Sequence, residues 1–231
     1  MADLVDAVGS VGERTLNETT DASLPPLDRD TRERLGREQL ADILKETPRS
    51  TIPSLVKRAQ LLFHNTCVAA KMDPHDLTLT VTADDTINAY SFVGGHLVIT
   101  TGFLTFAGND DEMVCFVIAH ELGHIALGHT DLPYRRALAS GGLGNLVHGV
   151  AEQVIGMSPI SQAQERDADC FAVRTLRQAG MAPEGGVRFF QRMAEREGNP
   201  RQADPLLGAL FGSHPDQQRR IEHLRHGCQA D

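Results

Sequence analysis

The chain contains 231 residues, of which 41% are hydrophobic and 23% are charged. This composition is typical of a soluble globular protein and excludes collagen-like or wholly disordered chains. With 31 acidic and 22 basic side chains the formal net charge is −9. Because a negative field repels phosphate groups, we expect no nucleic-acid partner.

Neither a membrane-spanning segment nor a secretion signal is predicted. One of the longest apolar runs, residues 114–119, is far shorter than the roughly 20 residues that cross a bilayer. The amino terminus has neither the basic cluster nor the apolar stretch of a signal peptide. A cytoplasmic location is therefore not excluded.

Two helices are predicted in the first third of the chain, after an N-terminal arm. Residues 1–27 are acidic, rich in Thr, Ser and Gly, and end in the helix-breaking sequence Leu-Pro-Pro-Leu. We therefore divide the chain into an arm, residues 1–27, and one domain, residues 28–231. Apolar residues recur at helical spacing over residues 30–46 and again from residue 53 to the Asp-Pro pair at 73–74.

The period of the apolar residues then changes to two, which is typical of strands. Apolar residues alternate with threonines at 77–81, and a β-branched segment at 96–101 follows the turn residues Gly94 and Gly95. Residues 84–92, between the two strands, are expected to form a loop.

The second half of the chain is predicted to be mainly helical. A helix-start signal at 108–112 precedes a segment that is apolar on almost every face up to about residue 128, so this helix is expected at the centre of the fold. Glycines and weak periodicity at 141–159 predict a mobile region. Further helices are predicted at residues 161–180, 183–197 and 215–226. The expected fold is α/β of the α+β type, with a small sheet packed on the central helix.

The central helix carries the motif His120-Glu121-Leu122-Gly123-His124, which has the H-E-x-x-H pattern. Four helical residues turn the chain by about 400°, so the two imidazoles lie about 40° apart on one face and can reach one metal ion. Burial of two imidazoles and a carboxylate in an apolar helix is costly without a partner. The motif therefore predicts a zinc site, with Glu121 as general base.

Catalytic zinc usually has three protein ligands, so a third ligand is needed. Thr130 stands where a metzincin has its third histidine, which excludes that subclass. Glu165 is the best candidate, and Asp169, one helical turn later, is expected to fix the orientation of a ligand imidazole. His129 is the competing ligand, although a helical position about 140° from the zinc face disfavours it. Glu165 and Asp169 as ordinary surface carboxylates remain alternatives.

The four cysteines, Cys67, Cys115, Cys170 and Cys228, are too few for a disulfide-built scaffold. Cys115 precedes His120 by five residues and Cys170 follows Glu165 by five. A Cys115–Cys170 disulfide is therefore considered, although buried free thiols are the commoner outcome. The sequence leaves the disulfide state open.

These motifs together resemble the gluzincin metallopeptidases, in the family that contains HtpX, the CAAX prenyl endopeptidase and the envelope peptidases LoiP and BepA. The resemblance covers about residues 55–224. It departs from HtpX and the prenyl endopeptidase, which have membrane helices, and from BepA, which has a helical-repeat domain. The segments that carry it are 88–104, 109–112, the H-E-x-x-H motif, Glu165-x-x-Ala168-Asp169, Ser213-His214-Pro215 and Arg220-Ile221.

The resemblance implies a zinc-dependent endopeptidase with one Zn²⁺ per chain. It implies that the strand 96–101 forms the cleft edge on which an extended substrate pairs, and it places His214 beside the metal, as a transition-state donor or a switchable inhibitory ligand. An ordinary loop histidine is the alternative for His214. Arg220 is expected to support the site, or else to lie on a solvated helix face. The substrate-binding candidates are Asn88, Gly95, His96, Leu97 and Val98.

By the same resemblance, we expect the protein to be located in the bacterial periplasm or peripherally at the cell envelope, and its substrates to be unfolded or misfolded proteins. The natural substrate, the cleavage preference and the oligomeric state are not indicated by the sequence. The alternative function is a zinc-stabilised binding or chaperone-like module. The general base Glu121 argues against that alternative, because a structural site does not need one.

Overall fold

The computed structural model describes residues 21, 23–139, 160–197, 217–226 and 228. This part of the chain forms eight helices and one three-stranded sheet. The helices are α1 (Arg29–Glu46), α2 (Pro53–Ala69), α3 (Thr101–Ala107), α4 (Asp111–Ala126), α5 (Leu132–Ala139), α6 (Gln162–Gln178), α7 (Glu184–Glu197) and α8 (Gln217–His226), and the strands are β1 (Thr78–Thr82), β2 (Ala89–Phe92) and β3 (His96–Thr100). The expected fold class, mainly helical with a small sheet, is confirmed.

The strand order in the sheet is β1-β3-β2, with β1 parallel and β2 antiparallel to β3. The expectation that the strand at 96–101 forms an edge is therefore wrong, because β3 has a neighbour on each side. β2 is an edge strand and lies inside the segment expected to be a loop. Gly94 and Gly95 form the predicted turn, and both have positive φ angles, 86° and 78°, that favour glycine.

Helix α4 is the centre of the molecule, as its sequence predicts. The Asp110 side chain accepts a hydrogen bond from the Met113 N–H and caps the helix. Every residue from 113 to 125 is buried, because α2, α6, α7 and β2 all pack around α4. The two helices approach closely at Gly123, where an added Cβ would lie 3.1 Å from the Ala168 Cα. This approach brings the H-E-x-x-H motif against α6.

A second, smaller cluster of buried side chains joins the end of the predicted arm to α1 and α5. Leu27, Leu35, Val93 and Tyr134 pack together, and the Tyr134 hydroxyl donates a 2.9 Å hydrogen bond to the Gln39 side chain. The last residues of the arm thus contact the body of the protein. The division of the chain at residues 27 and 28 stays a prediction.

A disulfide joins Cys170, on α6, to Cys228, two residues beyond the end of α8. Cys67 and Cys115 are buried free thiols. A Cys115–Cys170 pairing is therefore wrong, and the sequence did not indicate the observed pair. Among the described residues, no helix combines the length and the apolar character required to cross a bilayer.

Candidate metal centre

His120 and His124, on α4, and Glu165, on the first turn of α6, bring their ligand atoms together. The two Nε2 atoms lie 3.0 Å apart. The Glu165 oxygens lie 3.5 Å from His120 Nε2 and 3.4 Å from His124 Nε2. All three side chains are buried, so Glu165 is not the surface carboxylate considered as an alternative.

These separations test whether the three residues fit a metal. Ligands at about 2.0–2.2 Å from a tetrahedral zinc ion lie roughly 3.3–3.6 Å from one another. The two histidine–glutamate separations fall in this range, and the histidine–histidine separation is slightly shorter. Two imidazoles and one carboxylate are also a common ligand set of catalytic zinc. The site therefore fits Zn²⁺ through three protein ligands.

Asp169 and Arg220 surround the same ligands in a fully buried network. The Asp169 carboxylate lies 3.0 Å from His120 Nδ1, the nitrogen that faces away from the other ligands. The Arg220 guanidinium binds both Asp169 oxygens, at 2.7 and 2.9 Å, and Glu165 Oε2, at 2.8 Å. Because Asp169 and Arg220 are both buried, the alternatives of a surface carboxylate and a solvated arginine are excluded.

The pKa values of the two histidines shift in opposite directions. Burial lowers the pKa of His120, but hydrogen bonds with the Asp169 and Glu165 carboxylates outweigh it and raise the pKa to about 9. Burial keeps the pKa of His124 below its ordinary value. Burial raises the pKa of Asp169, but the charge of Arg220 and the hydrogen bonds with His120 and Arg220 together outweigh it, and the net shift is downwards. Asp169 is therefore held as a carboxylate that accepts from His120.

His129 is placed behind His124 rather than among the metal ligands. Its Nδ1 lies 2.9 Å from His124 Nδ1, the ring nitrogen opposite to the one that faces His120 and Glu165. Burial and the neighbouring His124 lower the pKa of His129 to about 4. If His124 Nε2 binds a metal, its Nδ1 carries the proton, and a neutral His129 ring can accept this N–H. His129 would then support His124 as Asp169 supports His120.

Glu121 lies between the two histidines on α4 and is held by the edge strand. The Ser91 hydroxyl, on β2, donates a 2.8 Å hydrogen bond to Glu121 Oε2, and its oxygen lies 3.2 Å from the Glu121 carbonyl oxygen. Glu121 is itself buried. Sequence reasoning missed Ser91, because it stands in a segment without a strand pattern, 30 residues before its partner.

The expected substrate-binding residues lie in and beside β3. Gly95 lies in the turn, where its carbonyl accepts from the Thr78 N–H. Leu97 and Val98 are fully buried in the central strand. His96 is buried against Thr78, whose hydroxyl lies 2.6 Å from His96 Nδ1. Only Asn88, which is half-buried and adjoins β2, lies next to an edge strand.

Two expectations lie outside the described residues. The structure describes neither His214 nor the region 141–159. The role of His214 and the mobility of 141–159 therefore stay predictions.

Two buried histidines on α4 and the buried Glu165 on α6 form a possible metal site, and Glu121 lies on the same helix as the histidines. This arrangement is typical of a metal-dependent hydrolase. The chain belongs to peptidase family M48, whose family description matches residues 53–227. The family resemblance noted in the sequence is confirmed.

Several relatives are named as proteases. The chain is 30% identical to metalloprotease LoiP of Escherichia coli strain K12, over 63% of this chain and 60% of that protein. It is 28% identical to metalloprotease YcaL of the same organism, over 66% of this chain and 61% of that protein. It is 26% identical to a beta-barrel assembly-enhancing protease of Yersinia pestis, over 49% of this chain and 27% of that protein. The chain thus spans about 60% of the length of the first two relatives.

Proposed function

We propose that the protein is a zinc-dependent endopeptidase with one Zn²⁺ per chain, held by His120, His124 and Glu165. The observation that carries the proposal is the buried set of three ligand atoms within bonding range of one ion, with Glu121 on the same helix. Membership of peptidase family M48 supports the same activity.

In the proposed site, the zinc ion would supply Lewis-acid chemistry, and the protein side chains would transfer the proton and orient the reacting groups. A bound zinc ion supplies a Lewis acid, which brings the pKa of a water molecule near neutrality and polarises a carbonyl group. The Glu121 carboxylate accepts the proton of the attacking water and then delivers it to the nitrogen of the leaving amine. The Ser91 hydroxyl holds Glu121 Oε2 in one orientation. The proposed ligands are oriented by contacts on their sides away from the metal. Asp169 contacts His120, Arg220 contacts Glu165, and His129 contacts His124.

We propose that the substrate pairs with β2 rather than β3. The Thr100 N–H donates to the Asn88 carbonyl, so by the alternation of an antiparallel ladder the main-chain groups of Ala89 and Ser91 point away from β3. Among the described strands, none pairs with that side of β2. An extended peptide bound there would lie near Glu121, because Ser91 on β2 contacts the Glu121 carboxylate. Pairing through main-chain groups requires little side-chain specificity.

The proposed substrates are unfolded or misfolded proteins of the bacterial cell envelope. The support comes from relatives named beta-barrel assembly-enhancing protease in Yersinia pestis and Vibrio cholerae. A site that binds substrate through main-chain hydrogen bonds fits this class of substrate, because an unfolded chain exposes extended segments that are buried in a folded protein.

The substitution Glu121→Gln tests the proposal. The amide is nearly isosteric but cannot accept the proton of the water, so cleavage of unfolded casein should fall by about 10²–10⁴-fold while zinc content and thermal stability stay close to the wild-type values. Glu195→Gln, at an exposed position on α7, is the matched control and should cleave casein normally.

The same assay separates the endopeptidase from a binding module. A wild-type protein that retains zinc, suppresses aggregation of unfolded casein and never cleaves it would contradict the proposed activity. Equal cleavage by the wild type and the Glu121 variant would contradict the role of the general base.

A further inference from the structure

Three side chains at the junction of α6 and α8 form a second cluster of metal-ligating atoms. The Sγ atoms of Cys170 and Cys228 and a ring nitrogen of His223 all lie within 4.8 Å of one another. His223 Nε2 lies 3.2 Å from the Cys170 Sγ. None of these residues takes part in the proposed peptidase site. We propose that this cluster binds a second zinc ion when the Cys170–Cys228 disulfide is reduced.

The chemistry of the three ligands favours zinc over harder cations. Two thiolates and one imidazole form a borderline-soft set that suits Zn²⁺ and disfavours Mg²⁺ or Ca²⁺. Four residues separate His223 from Cys228, within the spacing found between paired ligands of zinc sites. Two thiolates also neutralise the charge of one divalent ion. The fourth coordination position is filled by water.

Contacts independent of the disulfide keep the two cysteines close after reduction. The Arg177 side chain, on α6, donates a 3.2 Å hydrogen bond to the Cys228 carbonyl. The Arg220–Asp169 ion pair fixes α8 on α6 one helical turn before His223. Leu224 and Cys228 are both buried against the main core. The Cα atoms of the two cysteines, 5.0 Å apart, therefore stay within reach of one ion.

Formation of the site requires a reductant of the dithiol class. Two electrons from a dithiol break the sulfur–sulfur bond, each cysteine sulfur takes one proton, and the dithiol becomes a disulfide. Binding of the ion then releases both thiol protons to water as the thiolates coordinate. The oxidised form holds α8 to α6 by a covalent bond, and the reduced form holds it by metal coordination.

Cobalt is a suitable probe, because Co²⁺ bound to thiolate absorbs strongly in the near ultraviolet. The metal-free 231-residue chain is titrated with Co²⁺ before and after treatment with a dithiol that is then removed. We expect one Co²⁺ without thiolate absorption in the oxidised chain and two in the reduced chain, the second with thiolate absorption. The single ion of the oxidised chain reports the His120 site, so failure there is distinguishable from failure of the second site.

His223→Ala keeps the disulfide and should fold. In its reduced form it should bind the second Co²⁺ at least about tenfold more weakly, with the first site unchanged. Cys67→Ser, which removes a free thiol elsewhere, is the control and should retain both sites. The proposal is overturned if the reduced wild type binds one ion only, if it unfolds, or if thiolate absorption persists after replacement of both Cys170 and Cys228 by serine.

Discussion

At the scale of single residues, another side chain contacts the outward ring nitrogen of each of the two proposed metal-binding histidines. Asp169 contacts His120 Nδ1, and His129 contacts His124 Nδ1. Such partners fix the ring orientation of a ligand without touching the metal, and their removal typically weakens metal binding by about 10–100-fold. Loss of a ligand itself is expected to be more severe.

Metal affinity should therefore separate Glu165 from His129. Glu165→Ala should weaken zinc binding by more than about 100-fold, whereas His129→Ala should weaken it by about 10–100-fold, as expected for a supporting residue. Competition with a chelator of known affinity measures both. His129→Asn retains an acceptor near the position of Nδ1 and should restore part of the loss. Equal affinity of the Glu165 variant and the wild type would remove Glu165 from the ligand set.

Ser91 should affect catalysis rather than metal binding. A hydrogen bond to a charged group contributes about 1.5–3 kcal/mol, so Ser91→Ala should lower kcat by about tenfold or more with unchanged zinc content. Ser91→Thr retains the hydroxyl group and should keep most of the activity. If Ser91→Ala instead raises KM and leaves kcat unchanged, the hydroxyl group acts on the substrate and not on Glu121.

The sequence predicted the grouping of His120, Glu121 and His124 because helical geometry alone decides it. It also disfavoured His129 as a ligand, but the angular argument assumed that the helix continues to residue 129. Helix α4 ends at Ala126, and Gly128, with φ 73°, turns the chain so that the His129 N–H donates to the His124 carbonyl. Beyond the end of a helix the residues no longer follow the helical period, so helical spacing in the sequence does not predict which side chains they contact.

At the scale of elements, a buried ion-pair network and the Cys170–Cys228 disulfide both hold α8 on α6. Arg220 binds Asp169 and Glu165, and its guanidinium lies 4.4 Å from the centre of the Phe190 ring. Arg220 therefore connects α8 to α6 and to α7. Helix α8 has few apolar residues of its own, and of these Leu224 is buried in the main core.

Arg220→Met should lower the free energy of unfolding by about 3–5 kcal/mol, because the buried Asp169 carboxylate loses its cationic partner. Arg225→Met, at an exposed position on the same helix, should change it by less than about 0.5 kcal/mol. Urea unfolding with zinc bound measures both variants. A similar stability for both variants would mean that the ion pair of Arg220 contributes little to holding α8 on α6.

The predicted helices agree with α1, α2, α4, α6, α7 and the described part of α8 to within a few residues. Long runs of apolar residues at helical spacing mark the first five, whereas α8 was predicted from its start at Pro215. The sequence did not predict β2, α3 or α5. β2 is four residues long and has polar residues at its centre, α3 continues directly from β3 without a break, and α5 has a single buried residue. Their positions depend on contacts with distant elements, such as Ser91 with Glu121.

At the scale of the whole molecule, the proposed metal joins parts of the chain that are distant in sequence. His124 and Glu165 lie 41 residues apart, and they meet where α4 crosses α6 at Gly123 and Ala168. α4 in turn packs against α2, α7 and β2. An ion bound at this crossing therefore links the centre of the core to the helix that α8 and the disulfide also contact.

Removal of the metal should lower the melting temperature of the whole domain. A ligand that binds only the folded state stabilises it by about 4 kcal/mol when its free concentration is 1,000 times its dissociation constant. For a chain of this size, 1 kcal/mol corresponds to about 2–4 °C in Tm, so a strong chelator should lower the Tm of the wild type by roughly 10 °C. Glu165→Ala, which already binds the metal weakly, should lose little further stability on chelation. Calorimetry measures the Tm of the wild type and of Glu165→Ala with and without the chelator, and metal analysis of the same samples gives their zinc content. An unchanged Tm in wild-type protein shown to be free of metal would mean that the α4–α6 crossing is held by packing and the Arg220 network alone.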